Sequence, residues 1–418
     1  MPNTTAALGF PRLTYLRIKN YRALRDVELR DLTPLTVFIG PNGSGKSTVL
    51  DALAFLAEAV SGNLQQAWEK RNRFAGMRTR GSDGPIEFEV GISEVQIGNT
   101  LVYHVEIDEQ DGQLILIDEW IKSGLPEDAK KILKARSLDS SVRFELTSET
   151  EHATHPIEEE DGPYKNGRVL LDGKPSLMLG FAFAYSKSIS RQTTPVVNAL
   201  KAYRYVHLTD DHLKGYSDAG PREKLSANGD NLPNVLYFLH TKHPEALARI
   251  TAQLRRWVPG LTDIVTEITS DERLLLRFKD APFEKPLPAQ YMSDGTMRLA
   301  ALLTLLYEPN ATGLLGMEEP ENELHPRLLP RLAEELIKAT ETRQLLVATH
   351  SPFLLDALEP EQVWILHRGE DGYTQATRTA DIPQVKELVE DGSPLGYLWT
   401  SNFFRLGDPL APRTPAAQ

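Results

Sequence analysis

The chain has 418 residues, 41% hydrophobic and 25% charged, an ordinary globular balance with enough apolar surface for one large core or two smaller ones. It has no cysteine, which excludes disulfides, thiolate metal sites and cysteine nucleophiles. A formal net charge of −12 repels nucleic acid on average, so any DNA contact has to be local.

Residues 1–12 read as a loose leader without the basic-then-apolar pattern of a signal peptide, and no run reaches the roughly 18 apolar residues of a membrane span. The expected location is cytoplasmic, without membrane insertion. Residues 13–18 and 35–39 read as strands, the second ending at a glycine-rich turn. After Ser47 the run TVLDALAFLAEAV has helical spacing, so a helix should begin inside the glycine loop. Residues 86–123 alternate in three runs broken by Gly, Asn and Asp-Gly turns, an antiparallel meander. Residues 147–167 read as an exposed polar loop, and the segment from there to about 260 as mainly helical, most clearly over 234–257. Strands at 313–317, 344–349 and 363–367 then alternate with helices at 327–339 and 352–358, which implies a mainly parallel sheet covered on both faces. Residues 409–418 read as a frayed tail.

The densest basic groups are Lys70, Arg71, Arg73, Arg78 and Arg80, and then Lys130, Lys131, Lys134 and Arg136. Both read as solvated faces. Asp210, Asp211 and His212 are adjacent but isolated, and read as surface.

Gly40, Pro41, Asn42, Gly43, Ser44, Gly45, Lys46 and Ser47 spell G-x-x-x-x-G-K-[ST]. Such glycines let the backbone curl so that successive N–H groups point at phosphate oxygens, with a helix N-terminus behind them. Lys46 would reach the β and γ phosphates of ATP, Ser47 would offer its hydroxyl to Mg²⁺, and Thr48 would lie near the α phosphate. The apolar run 314–317 ends in Glu318 and Glu319, a pair suited to holding the Mg²⁺ shell and activating water. The strand at 344–349 ends in His350, where a side chain could meet a γ phosphate.

With YMSDGTMR at residues 291–298, LLGMEEPENELHP at 314–326, LLVATHSP at 345–352 and the opening LRIKNYRAL, the chain resembles the ABC-type ATPase head of the SMC, RecF and OLD-nuclease group, nearest to its short bacterial RecF-like members. The resemblance implies an α/β P-loop head: lobe I over 13–148 with the meander, a loop and mainly helical insertion over 149–290, and lobe II over 291–408. It assigns Ser293 and Gly295 to the signature that caps the γ phosphate on an opposite subunit. Glu318 matches the Mg²⁺-associated Walker B carboxylate and Glu319 the general base. Residues 322–325 match the interface D-loop, and His350 the switch histidine. It implies a homodimer closing on two Mg·ATP, and a separate effector such as a nuclease, with DNA a further partner, in DNA-related processing or phage defence. Three departures stand out: Glu318 replaces the usual Asp, the signature reads S-D-G-T, and no Q-loop glutamine follows the first helix, Gln65 and Gln66 lying on its flank. A transporter-type ATPase subunit and an ATP-sensing module with little turnover are the alternatives.

Overall fold

The computed structural model describes residues 10–62, 64–94, 99–123, 130–138, 141–146, 168–170, 187–215, 217–218 and 220–408. The leader up to residue 9, the polar loop at 147–167 and the tail lie outside them, as do the side chains of the second basic group.

The core is a six-stranded sheet in the order Arg204–Val206, Leu314–Glu318, Gln344–Thr349, Leu35–Ile39, Val363–Arg368, Thr374–Arg378. Every pairing is parallel except the last. The sequence LTVFI is buried at every position, which is why it reads as an unbroken apolar run. Alternation divides it between two cores. Leu35, Val37 and Ile39 face helices Leu232–Lys242, Pro244–Trp257, Asp294–Leu306 and Leu329–Ala339. Phe38 faces helix Lys46–Ser61 and the antiparallel sheet beyond it.

That second sheet has eight strands and carries the meander Ile86–Glu94, Asn99–Gln110, Gln113–Ser123. Asp111 and Gly112 both take positive φ, 53° and 75°, the two-residue turn that suits the twist of a hairpin. Phe55 of the first helix stacks on Phe88 of the meander with ring centroids 5.7 Å apart.

The helical reading of 234–257 resolves into two helices, broken where Pro244 opens the second. Two features went unread in the sequence. Arg204–Val206, inside the segment expected as a helical insertion, is an edge strand of the core sheet. Leu261–Ile268 and Arg273–Asp280 form an antiparallel hairpin just before the signature. The first basic group is also not a simple solvated face. Arg71 is buried against Asp51 and Glu58, and Arg78 pairs with Asp108 and lies over the Phe74 ring.

Candidate active site

Residues 40–47 leave the end of Leu35–Ile39 and lead into helix Lys46–Ser61, with Gly45 as N-cap at φ 104°. That conformation favours glycine, and a Cβ on Gly45 would come within 2.5 Å of Thr374 Oγ1. A Cβ on Gly40 would sit 1.9 Å from the Leu366 carbonyl. The loop is therefore walled by the last two strands of the sheet. Arg368 Nε donates to the Gly43 carbonyl at 2.9 Å, and Thr374 Oγ1 to that of Ser44 at 2.8 Å.

Lys46 is buried, and its ammonium donates to the carbonyls of Gly40 and Pro41 at 2.8 and 3.1 Å. Burial pulls its pKa down to about 8 although Glu319, Glu318 and Glu321 pull the other way. Asn42, Gly43 and Ser47 are exposed, Thr48 half-buried. Ser44 Oγ is buried without a hydrogen-bond partner among the described residues.

Across the sheet, Ser47 Oγ donates to Glu318 Oε1, a contact between residues 271 positions apart. The parallel register of Leu314–Glu318, Gln344–Thr349 and Leu35–Ile39 delivers all three strand ends to one edge. Glu319 follows at φ 42°, a left-handed conformation that costs a non-glycine residue about 1 kcal/mol or more, and it is held there from several sides. Its amide donates to the Ala348 carbonyl at 2.8 Å. Its carbonyl accepts from Arg298 at 2.8 Å, and Asn322 Nδ2 donates to its carboxylate at 2.7 Å. His350 Nε2 lies 3.5 Å from Glu319 Oε1, its pKa lowered by burial and by the nearby Lys46 charge.

Glu321 is buried beneath this edge, accepting from Thr349 Oγ1 and, at 2.9 Å, from the His350 amide. Burial raises its pKa against those bonds.

Ser293 caps helix Asp294–Leu306, accepting from the Thr296 amide at 3.2 Å. A Cβ on Gly295 would come within 2.5 Å of the Glu323 carbonyl, so the signature lies directly against the turn after Glu319. The structure thus brings Lys46, Ser47, Glu318, Glu319 and His350 together, while no hydrogen bond from Ser293 or Gly295 to residues 40–48 occurs among the described residues. Other contributors carry no role in the sequence analysis: Glu321 lies in an acidic run, Arg298 at the buried end of the signature, and Tyr205, which donates to Glu318 Oε2, with His207, 3.1 Å from the same oxygen, on or just after a three-residue strand with no legible period. Asn322, expected in an interface D-loop, instead holds the Glu319 carboxylate of its own chain. Asp211 is exposed, and Thr209 Oγ1 lies 2.6 Å from His212 Nδ1. No group of three or more acidic or histidine side chains suited to a metal ion occurs among the described residues.

Residues 12–166 match a family model described as an AAA ATPase domain. Residues 180–356 match an AAA domain model whose description names the AbiEii toxin and a type IV TA system. A solved SMC head, bound to the C-winged helix domain of ScpA, covers 87% of this chain and 97% of its own with a TM-score of 0.51 at 15% identity. The chain has the fold of an ABC-type ATPase head and is similar to the AAA, RecF and OLD group of ATPases. A retron Ec83 probable ATPase of Escherichia coli is 22% identical to this head over 87% of the chain and 72% of its own length. The likeness to an OLD nuclease of Thermus scotoductus, 51% over 41 residues, spans 10% of the head and 8% of that protein. That to RecF of Corynebacterium jeikeium, 41% over 46 residues, spans 11% of each. Among the described residues, no helix of the head is long and apolar enough to cross a membrane.

Proposed function

We propose that the protein binds Mg·ATP between the 40–47 loop and Glu318, hydrolyses it with Glu319 as general base, and pairs with a second copy whose Ser293 and Gly295 face that nucleotide. The observation that carries this reading is the meeting of Ser47 and Glu318 beside Lys46 at the edge of the parallel sheet. The residues suit the group. The Ser44 hydroxyl, which has no hydrogen-bond partner among the described residues, a lysine folded onto carbonyl oxygens, and glycines whose replacement would drive the loop off its supporting strands all fit a triphosphate. A hydroxyl and a carboxylate in contact form an oxygen donor set suited to a hard divalent cation. When bound, that cation supplies charge neutralisation on the phosphate oxygens.

The chain's own residues do the rest. Glu319, fixed by Asn322 and by its strained backbone, takes the proton of a water. His350, kept largely neutral by its pKa, orients beside that carboxylate. Because Gly295 packs on the Glu323 carbonyl, movement of the signature is felt one turn from the base.

Glu319→Gln should cut turnover at least about a hundredfold and accumulate an ATP-bound dimer. A light-scattering mass that stays monomeric with ATP in this variant overturns the pairing. Lys46→Ala should abolish turnover, and unchanged turnover moves the site elsewhere.

The likeness to a retron ATPase over most of both chains supports work beside a separate effector, such as a nuclease, in DNA-related processing or phage defence. Turnover measured with and without duplex DNA tests this. Stimulation favours the DNA role, indifference a transporter-type subunit, and near-zero turnover with tight ATP binding a sensing module.

A further inference from the structure

The strand Arg204–Val206 runs parallel to the strand that ends in Glu318, with Tyr205 beside Gly316 and Val206 beside Met317. Alternation along extended backbone puts Tyr203, Tyr205 and His207 on one side, toward the helix that follows the phosphate loop. Their contacts agree. Tyr203 is buried and donates to the Leu50 carbonyl of that helix at 3.0 Å. Tyr205 donates to Glu318 Oε2, and His207 Nδ1 lies 3.1 Å from the same oxygen.

Glu318 is thereby gripped on one oxygen by the edge strand, while its other oxygen meets Ser47. A glutamate has one more rotatable bond than an aspartate, so an unrestrained carboxylate at this position would sweep a wider arc and hold a cation less well. Partners that orient a liganding carboxylate strengthen the site they do not themselves touch.

We infer that Tyr205 and His207 are positioning residues of the cation site: they fix one oxygen of Glu318 so that the other is presented beside Ser47. This rests on the reading of Glu318 as a cation-holding carboxylate, and the test separates the two.

Mn²⁺ serves as the probe, titrated by electron paramagnetic resonance against the full-length protein with a non-hydrolysable ATP analogue. Tyr205→Phe should weaken Mn²⁺ binding about tenfold or more, while analogue binding in EDTA keeps its wild-type affinity. Turnover in the same variant should recover at high Mg²⁺, so that the metal requirement rises more than kcat falls. In a Glu318→Asp background, whose shorter arm withdraws from the phenol, Tyr205→Phe should add less than twofold. His207→Gln should weaken Mn²⁺ in the same direction, and because that side chain is 46% exposed it decides alone if the tyrosine variant does not fold. Mn²⁺ affinity within twofold of wild type in both single variants overturns the inference. If Ser47→Ala weakens Mn²⁺ while they do not, only the inference falls. If Ser47→Ala and Glu318→Gln both leave Mn²⁺ affinity unchanged, the proposed site falls with it.

Discussion

Lys46 carries a pKa near 8 because burial outweighs the pull of three glutamates. In the free protein its proton leaves above that pH, so a bound triphosphate, which needs the ammonium, has to bring the proton back. Nucleotide affinity should therefore be flat below pH 8 and fall by about tenfold per pH unit above it. Calorimetry in buffers of different ionisation heat should record proton uptake above pH 8; affinity unchanged to pH 9.5 would contradict the cause assigned here. The sign for stability is the opposite. Between about 8 and the ordinary 10.5 the unfolded chain holds more of this proton, so the contribution of Lys46 to the stability of the nucleotide-free protein rises with pH in that window. The φ of 42° at Glu319 is stored strain, tolerated because Ala348, Arg298 and Asn322 fix the residue from three directions.

Among the elements, the P-loop strand and its helix were legible because each obeys one period over its whole length: five buried residues in Leu35–Ile39, and a helical repeat in Lys46–Ser61. The edge strand Arg204–Val206 was not, since three residues cannot display an alternation and its pairing partner lies in the strand at Leu314–Glu318. The hairpin Leu261–Asp280 was hidden for other reasons: Leu261–Ile268 mixes exposed and buried positions irregularly and slips register between Leu261 and Asp263, while the regular burial of Arg273–Asp280 is masked by Leu275 between the buried Leu274 and Leu276. Gly316 joins these elements. A Cβ there would come within 2.2 Å of the Tyr203 hydroxyl, so Gly316→Ala must displace the buried Tyr203 ring that leads into the edge strand. We expect about 1–3 kcal/mol of lost stability, read as a shift of the urea midpoint, with nucleotide affinity falling too because Tyr203 is tied to Leu50. A variant as stable as wild type would mean that the Tyr203 ring can yield at no cost. At the site, Lys46, Ser47, Glu318, Glu319 and His350 were named from motif order, whereas Tyr205, His207 and Glu321 act through contacts that no local spacing announces.

At the scale of the molecule, the two sheets are stitched by Gln344, which is 1% exposed. Its Oε1 accepts from the Leu13 amide at 2.8 Å, and its Nε2 donates to the carbonyls of Leu13 at 2.7 Å and Thr33 at 3.1 Å. Gln344→Leu keeps the bulk but strands buried backbone groups, and should cost about 1–3 kcal/mol per unpaired group. Denaturation followed at Trp68, packed against the eight-stranded sheet, and at Trp364, in the core sheet, should show one transition in the wild type and two in the variant if Gln344 couples them; coincident curves in both would place the coupling in the apolar core that both side chains share. The walls of the phosphate loop have a consequence of another kind. The loop at residue 40 is closed by Leu366, Arg368 and Thr374, more than three hundred residues later. A chain emerging from the ribosome thus holds its lysine early but has nowhere to seat a nucleotide until its last core strand is made. ATP capture becomes a signal that synthesis has passed residue 378, and a stalled or prematurely stopped product should be blind to the nucleotide that its full-length sibling retains.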